Sequence, residues 1–318
     1  MRQGCMAMDR KLERGALCLV AALAAGSVGM GCSGTERTAD GEHFQGVDMI
    51  DNMEDGQQYI LSDDGRVGLW YTYNDASPSG TQEPSLGFPM YRTRKPDGAP
   101  DPSSQVPARE CGGALFPDET ACTFVARTWG TGQRGWGAGM GVDLNGEGGA
   151  KNPFDASAYG GIGFFVLGDV RAGKLRVNVQ DVRTTPESAG AADRRQISRC
   201  ESYLPDGTRT GRCNDHYGFD VAGILKNEWH WVTIPFHCMQ DGGWGYPSPA
   251  GGGQVGDNVL RRDAVVGVQF QVAGTDPTDS GMPGATPVVP FDFSIDNLAF
   301  LDLSVVNDST SCTPPPAN

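Results

Sequence analysis

The sequence is short of the groups that most enzymes work with. It has four histidines in 318 residues. Beyond His43 only His216, His230 and His237 remain, and none has a convincing nucleophile partner. GxSxG, HExxH and Walker sequences are missing. No CxxC or HxxxH pair accompanies Cys213-Asn214-Asp215-His216, so a zinc site is not expected there. Positive charge is scarce as well, with 25 Lys and Arg against 39 Asp and Glu and a net charge of -14. A surface of that sign repels phosphate backbones and argues against nucleic acid as a partner, whereas neutral sugars and cations remain compatible with it. Long helical periodicity is also lacking, and so is any internal repeat.

What is present begins with an export signal. Arg10, Lys11 and Arg14 precede an uncharged run from Gly15 to Met30, the layout of a secretory signal. The run is too short and too rich in Gly and Ala for a spanning helix, which needs ~20 apolar residues. It ends in Gly29-Met30-Gly31-Cys32-Ser33, which resembles a bacterial lipobox, although Gly29 stands where Leu is usual. Lipidation of Cys32 would anchor the chain to a membrane of the cell envelope without a transmembrane helix. The expected organisation is a signal over 1–31, a polar tether over 32–45, one domain over 46–303 and an irregular tail over 304–318.

Cys5 and Cys18 leave with the signal and Cys32 is spent on lipid. Six cysteines remain, Cys111, Cys122, Cys200, Cys213, Cys238 and Cys312. An even count in an exported chain implies disulfides, with fifteen possible connectivities. Close spacing favours Cys111–Cys122 and Cys200–Cys213, which leaves Cys238 with Cys312.

Gly 46 and Pro 21 make about a fifth of the chain and favour turns over long helices. Strand-like runs recur at Val67–Tyr73, Thr123–Trp129, Gly161–Leu167, Lys174–Asp181, Trp229–Phe236, Val265–Val272 and Phe291–Leu301. Several alternate. Leu175, Val177 and Val179 oppose Arg176, Asn178 and Gln180; Val266, Val268 and Phe270 oppose Gly267, Gln269 and Gln271; Phe291, Phe293 and Ile295 oppose Asp292, Ser294 and Asp296. Period two with one apolar face describes strands on a core with an open second face. The expected fold is all-β, a two-sheet antiparallel sandwich with long loops over 74–122, 182–214, 244–260 and 273–288. Phe219–Leu225 is expected to form one helical turn.

Three segments together carry a family resemblance: Ile50-Asp-Asn-Met-Glu-Asp-Gly56, Phe154-Asp-Ala-Ser-Ala-Tyr-Gly-Gly-Ile-Gly-Phe164 and Phe291-Asp-Phe-Ser-Ile-Asp-Asn-Leu298. In layout this resembles carbohydrate-binding jelly rolls with the galactose-binding-like fold, notably family 11 of the carbohydrate-binding modules. The insert at 76–120 and the Cys200–Cys213 loop are departures from the minimal module. The resemblance implies a concave sheet that holds a carbohydrate polymer or oligosaccharide. It also implies a structural calcium, with Glu54 and Asp296 at the matching positions.

The residue chemistry agrees with a sugar ligand, whose apolar C–H faces suit aromatic rings and whose hydroxyls suit amides and charged groups. Tyr73, Trp136 and Trp244 are the candidate platforms, the two tryptophans because glycines flank them. Arg176, Asn178, Gln180, Gln269 and Gln271 are the candidate hydroxyl partners, with Asp215 and His216 at the rim. Trp70, Trp229 and Trp231 read as core or scaffold. Two other classes stay open. One is a protein-binding surface protein, which would show a wide apolar patch. The other is a β-sandwich glycosidase or lyase, for which Asp181 and Asp215 are candidate carboxylates.

Overall fold

The computed structural model describes residues 46–85, 87–112, 115–146, 151–170, 175–186, 200, 211–221, 228–246, 259–274 and 290–312. The signal, the lipobox and the whole tether lie outside the described residues. Twelve strands are formed among them: β1 (Val47–Asp51), β2 (Trp70–Asn74), β3 (Thr81–Glu83), β4 (Met90–Arg92), β5 (Phe124–Thr131), β6 (Ala138–Asp143), β7 (Tyr159–Val170), β8 (Leu175–Asp181), β9 (Tyr217–Val221), β10 (His230–Pro235), β11 (Val265–Val272) and β12 (Phe291–Asp302). One sheet runs β10-β7-β12-β5-β3, with β1 also on β12 and β4 also on β5; the other runs β2-β6-β11-β8-β9. Every strand pairing is antiparallel. The fold is the expected all-β, two-sheet antiparallel sandwich of the jelly-roll kind with disulfide-stapled loops.

The alternating apolar residues meet between the sheets. Phe164 of β7 packs edge-to-face on Phe270 of β11 at 5.1 Å, and Trp70 of β2 stacks on the same ring at 6.3 Å. Val177, Val179, Val268, Phe293 and Ile295 are fully buried in that layer. Trp70 is core, as expected.

The segment Phe219–Leu225 departs from expectation. Its described part belongs to β9, because Val177 and Leu175 pair with Phe219 and Val221 and turn their side chains into the core. Residues 222–227 lie outside the described residues.

The expectation of an open second face holds differently for the two sheets. On β12, Ser294 and Asp296 are buried, because the chain between β4 and β5 covers the outer side of the seven-stranded sheet. Phe116 packs on Phe165 and Trp231 at 5.7 and 5.2 Å, and Val106 joins Val125 and Leu167 in a small cluster. The Trp229 indole N–H donates to the Pro107 carbonyl at 2.9 Å. Trp229 and Trp231 therefore serve as scaffold beneath this cover. A Cys111–Cys122 disulfide closes the covering segment, and Cys200–Cys213 and Cys238–Cys312 complete the set. Residues 303–312 contain turns but no strand or helix.

Asp51 ties β1 to β2. Its carboxylate accepts the Trp70 indole N–H at 2.6 Å and the Met53 backbone N–H at 2.9 Å. Burial pushes its carboxyl up to about 7, against the lowering effect of these two bonds. An unfolded aspartate releases its proton near 3.8. Asp51 thus favours folding at the acid end of that window, and the contribution is lost as pH rises through about 7. Urea midpoints of Asp51→Asn measured across this window are expected to show a flatter pH dependence than those of the parent chain. An unchanged slope would rule out Asp51 as its source.

Candidate ligand-binding face

The outer side of the five-stranded sheet carries polar and aromatic residues in register. Tyr71, Gly141, Gln269, Asn178 and Gly218 form one row across β2, β6, β11, β8 and β9. Tyr73, Gly139, Gln271, Arg176 and Asp220 form the next. Asp143, Gly267 and Gln180 begin a third. The side chains fall on this face because Trp70, Thr72, Met140, Val177, Val268 and Phe270, their neighbours along each strand, turn inward.

The glycines shape the surface. A Cβ at Gly141 would lie 2.8 Å from the Tyr71 hydroxyl, and one at Gly139 would lie 2.9 Å from that of Tyr73. Both phenol rings consequently lie across β6. Tyr71 and Tyr73 are 6.0 Å apart, and Tyr73 stacks on Trp136 at 5.7 Å and 27°. Trp136 keeps 52% of its surface exposed. The result is a continuous ribbon of three rings.

A chain of polar groups runs beside it. Arg176 Nε donates to Asn178 Oδ1 at 3.0 Å, Asn178 Nδ2 to Gln271 Oε1 at 3.1 Å, and Gln271 Nε2 to the Trp136 carbonyl at 2.8 Å. Gln269 Nε2 donates to the Tyr71 hydroxyl at 3.1 Å. Lys151 contacts Asp143 at 2.7 Å and donates to the Tyr71 hydroxyl at 3.2 Å. Arg176 also pairs with Asp220 at 3.4 Å. Burial raises both phenols above their ordinary range, so the rings are neutral. Each cation named here thus has a carboxylate beside it on the face.

The structure brings Tyr73, Trp136, Arg176, Gln269 and Gln271 together as one surface, with Asn178 buried beneath it as the link between Arg176 and Gln271. Gln180 lies next to them and is buried as well. Its amide N–H faces His216 Nε2 at 3.1 Å, and His216 Nδ1 meets Thr184 Oγ1 at 2.7 Å. Thr184 donates its own proton to the Asp181 carbonyl at 3.2 Å, so His216 donates from Nδ1 and accepts at Nε2. Burial lowers its pKa to about 3 and keeps it neutral.

His216 and Asp215 are not rim groups, which corrects the sequence expectation. His216 is buried with both ring nitrogens engaged. Asp215 is 3% exposed and accepts the backbone N–H groups of Gly242, Trp244 and Gly245 at 2.6, 2.8 and 2.7 Å. Asp181 is also buried, against Arg183 Nη2 at 2.7 Å and the Arg261 N–H at 3.1 Å. Both carboxylates singled out for catalysis are committed to structure.

Trp244 is 55% exposed and lies outside the rows of the sheet, in the loop after β10 that Gln240 joins to the β9 edge. Tyr71, Asp143 and Lys151 were missed in the sequence. Tyr71 was within reach, since it shares the alternation of Tyr73. Lys151 lies outside any strand and carried no signal.

The residues expected to hold calcium do not fit that ion. The Glu54 carboxylate accepts the Thr123 N–H at 2.8 and 2.9 Å and the Phe124 N–H at 3.2 Å. Asp296 accepts Arg109 Nε at 2.6 Å and the Asn297 N–H at 2.9 Å. Arg109 also pairs with Glu119, through Nη1 at 2.8 Å and through Nη2. Calcium takes six to eight oxygen ligands, whereas all four oxygens of Glu54 and Asp296 already accept N–H donors, with a guanidinium supplying the positive charge. One other cluster of potential metal-ligating groups is found among the described residues, His237, Cys238 and Cys312, and its cysteines are joined to each other.

No protein-family model and no curated protein matches the sequence. Among solved structures the chain is similar to the family 11 carbohydrate-binding module of the cellulosomal cellulase Lic26A-Cel5E of Clostridium thermocellum. Identity is 12%, with 81% of this chain and 95% of that one covered and a TM-score of 0.40. It is also similar to a family 11 module from Clostridium thermocellum in complex with a β-1,3-1,4-mixed-linked tetrasaccharide, at 13% identity, 81% and 96% coverage and a TM-score of 0.41. For a family 30 carbohydrate-binding module the values are 12%, 63% and 74%, with a TM-score of 0.31.

Arg109→Met, which leaves buried carboxylates without their cation, is expected to cost about 3–5 kcal/mol in denaturant unfolding. Chelator is expected to leave the melting temperature of the parent chain unchanged; a fall in chelator would contradict the assignment of Arg109 as the cation of this cluster.

Proposed function

We propose that the outer face of the five-stranded sheet binds a carbohydrate chain without cleaving it. The observation that carries this reading is the ribbon Tyr71–Tyr73–Trp136 lying beside a row of amide and guanidinium groups. Aromatic rings cover the apolar C–H face of a pyranose, and bidirectional amide groups answer its hydroxyls. A surface meant for a protein partner would be wide and apolar, and this one alternates rings with polar groups a few ångströms apart. The commitment of Asp181 and Asp215 to backbone and arginine partners favours a non-catalytic role. The signal and the Cys32 motif support export and a lipid anchor in the cell envelope.

Purified residues 33–318 run through polysaccharide affinity gels and a glycan array are expected to be retained by at least one polymer. Tyr73→Ala or Trp136→Ala is expected to weaken retention by roughly tenfold. Absence of retention on every polymer, or new reducing ends appearing during incubation, would overturn the reading. Intact mass of the protein from its native membrane is expected to show a mature chain that begins at acylated Cys32. An unacylated N-terminus would refute the anchor.

A further inference from the structure

We infer that the ligand is a long chain engaged at two separate places, with Trp244 as the second contact and Asp215 as the residue that positions it. This rests on the carbohydrate-binding reading above. Gly218 of β9 pairs with Gln240, so residues 240–246 continue from the edge of the five-stranded sheet opposite β2. That edge belongs to the same surface, since Arg176 of the ligand face donates to the Gln240 carbonyl at 2.7 Å. From β6, across which the ribbon lies, to the Gln240 segment there are four strand spacings, about 19 Å at ~4.8 Å each. That distance spans several pyranose rings, so a short oligosaccharide covers the ribbon and leaves Trp244 untouched.

The Trp244 loop is built rather than loose. One buried carboxylate, Asp215, takes three of its backbone N–H groups, and the Tyr246 N–H donates to the Arg212 carbonyl at 2.8 Å. Cys213, two residues before Asp215, is bonded to Cys200. The indole lies on Gly242, where a Cβ would sit 2.7 Å from its Nε1. This fixes the ring while leaving more than half of it in solvent. Ordering an exposed indole in advance lowers the entropic cost of binding, and joining a second contact to the first multiplies affinity only for a ligand that reaches both.

The test is calorimetric titration with oligosaccharides of increasing length, prepared from whichever polymer the protein retains. Affinity of the parent chain is expected to rise at least about tenfold between chains too short and chains long enough to span. Trp244→Ala is expected to abolish that rise and leave short-chain affinity within about twofold of the parent, whereas Trp244→Phe keeps part of it. Asp215→Asn is expected to behave like Trp244→Ala with the fold retained by circular dichroism. Should Asp215→Asn fail to fold, the two Trp244 variants decide alone. Full length dependence in Trp244→Ala, or equal losses for short and long chains, would overturn the inference while leaving carbohydrate binding intact. A parent chain that binds no polymer would instead remove the reading beneath it.

Discussion

The buried cation of Arg109 decides which side of this sandwich is available. Its guanidinium joins Glu119 of the covering segment to Asp296 of β12, and Asn297 adds a 2.8 Å bond to the same Glu119. All of these side chains are shielded from water, where charge pairing is strong once satisfied and costly when broken. The segment is thereby fixed to the outside of the seven-stranded sheet, with the Phe116 and Val106 clusters filling the space beneath. A two-sheet sandwich has only two outer surfaces. One is occupied by the chain itself, and the face proposed for the ligand is the other.

The two sheets solve their outward surfaces with different chemistry. Beneath the cover, Arg127 lies over the rings of Trp129 and Tyr91 at 4.4 and 4.8 Å and pairs with Asp292 at 2.8 Å. Aromatic and charged groups there neutralise one another. On the five-stranded sheet the same residue types are spread along rows, with glycine between them, and Trp136, Arg176, Gln269 and Gln271 each keep part of their surface exposed. Composition alone does not separate the two surfaces. Register and the position of the long insertion do.

Much of this was readable from alternation. The strands from Val67, Thr123, Gly161, Lys174, Trp229, Val265 and Phe291 were found because valine, isoleucine and aromatics mark the inward face. β6, Ala138-Gly-Met-Gly-Val-Asp143, escaped notice for the reason that makes it useful: two of its three outward positions, Gly139 and Gly141, are glycine, which flattens the pattern and clears the floor for Tyr71 and Tyr73. The helical turn expected over Phe219–Leu225 overlaps β9, whose five residues are too few to show a period. Among site residues, those on alternating strands were legible, and those whose role depends on a distant partner were not. Nothing local distinguishes Asp215, which holds a loop nearly thirty residues away, from an exposed acid, or Arg109 from any loop arginine. Calcium at Glu54 and Asp296 is what the family resemblance implies, and a guanidinium arriving from an insertion cannot be foreseen from the carboxylates it meets.

The Cys238–Cys312 bridge carries a mechanical consequence. It closes a stretch of 74 residues that contains both β11 and β12, the strands at the heart of their respective sheets. Tension applied at the C-terminus is therefore delivered to the short turn after β10 and bypasses the last strand. Peeling β12 from its neighbours, the ordinary route by which a pulled sandwich unravels from that end, is closed until a covalent bond is broken.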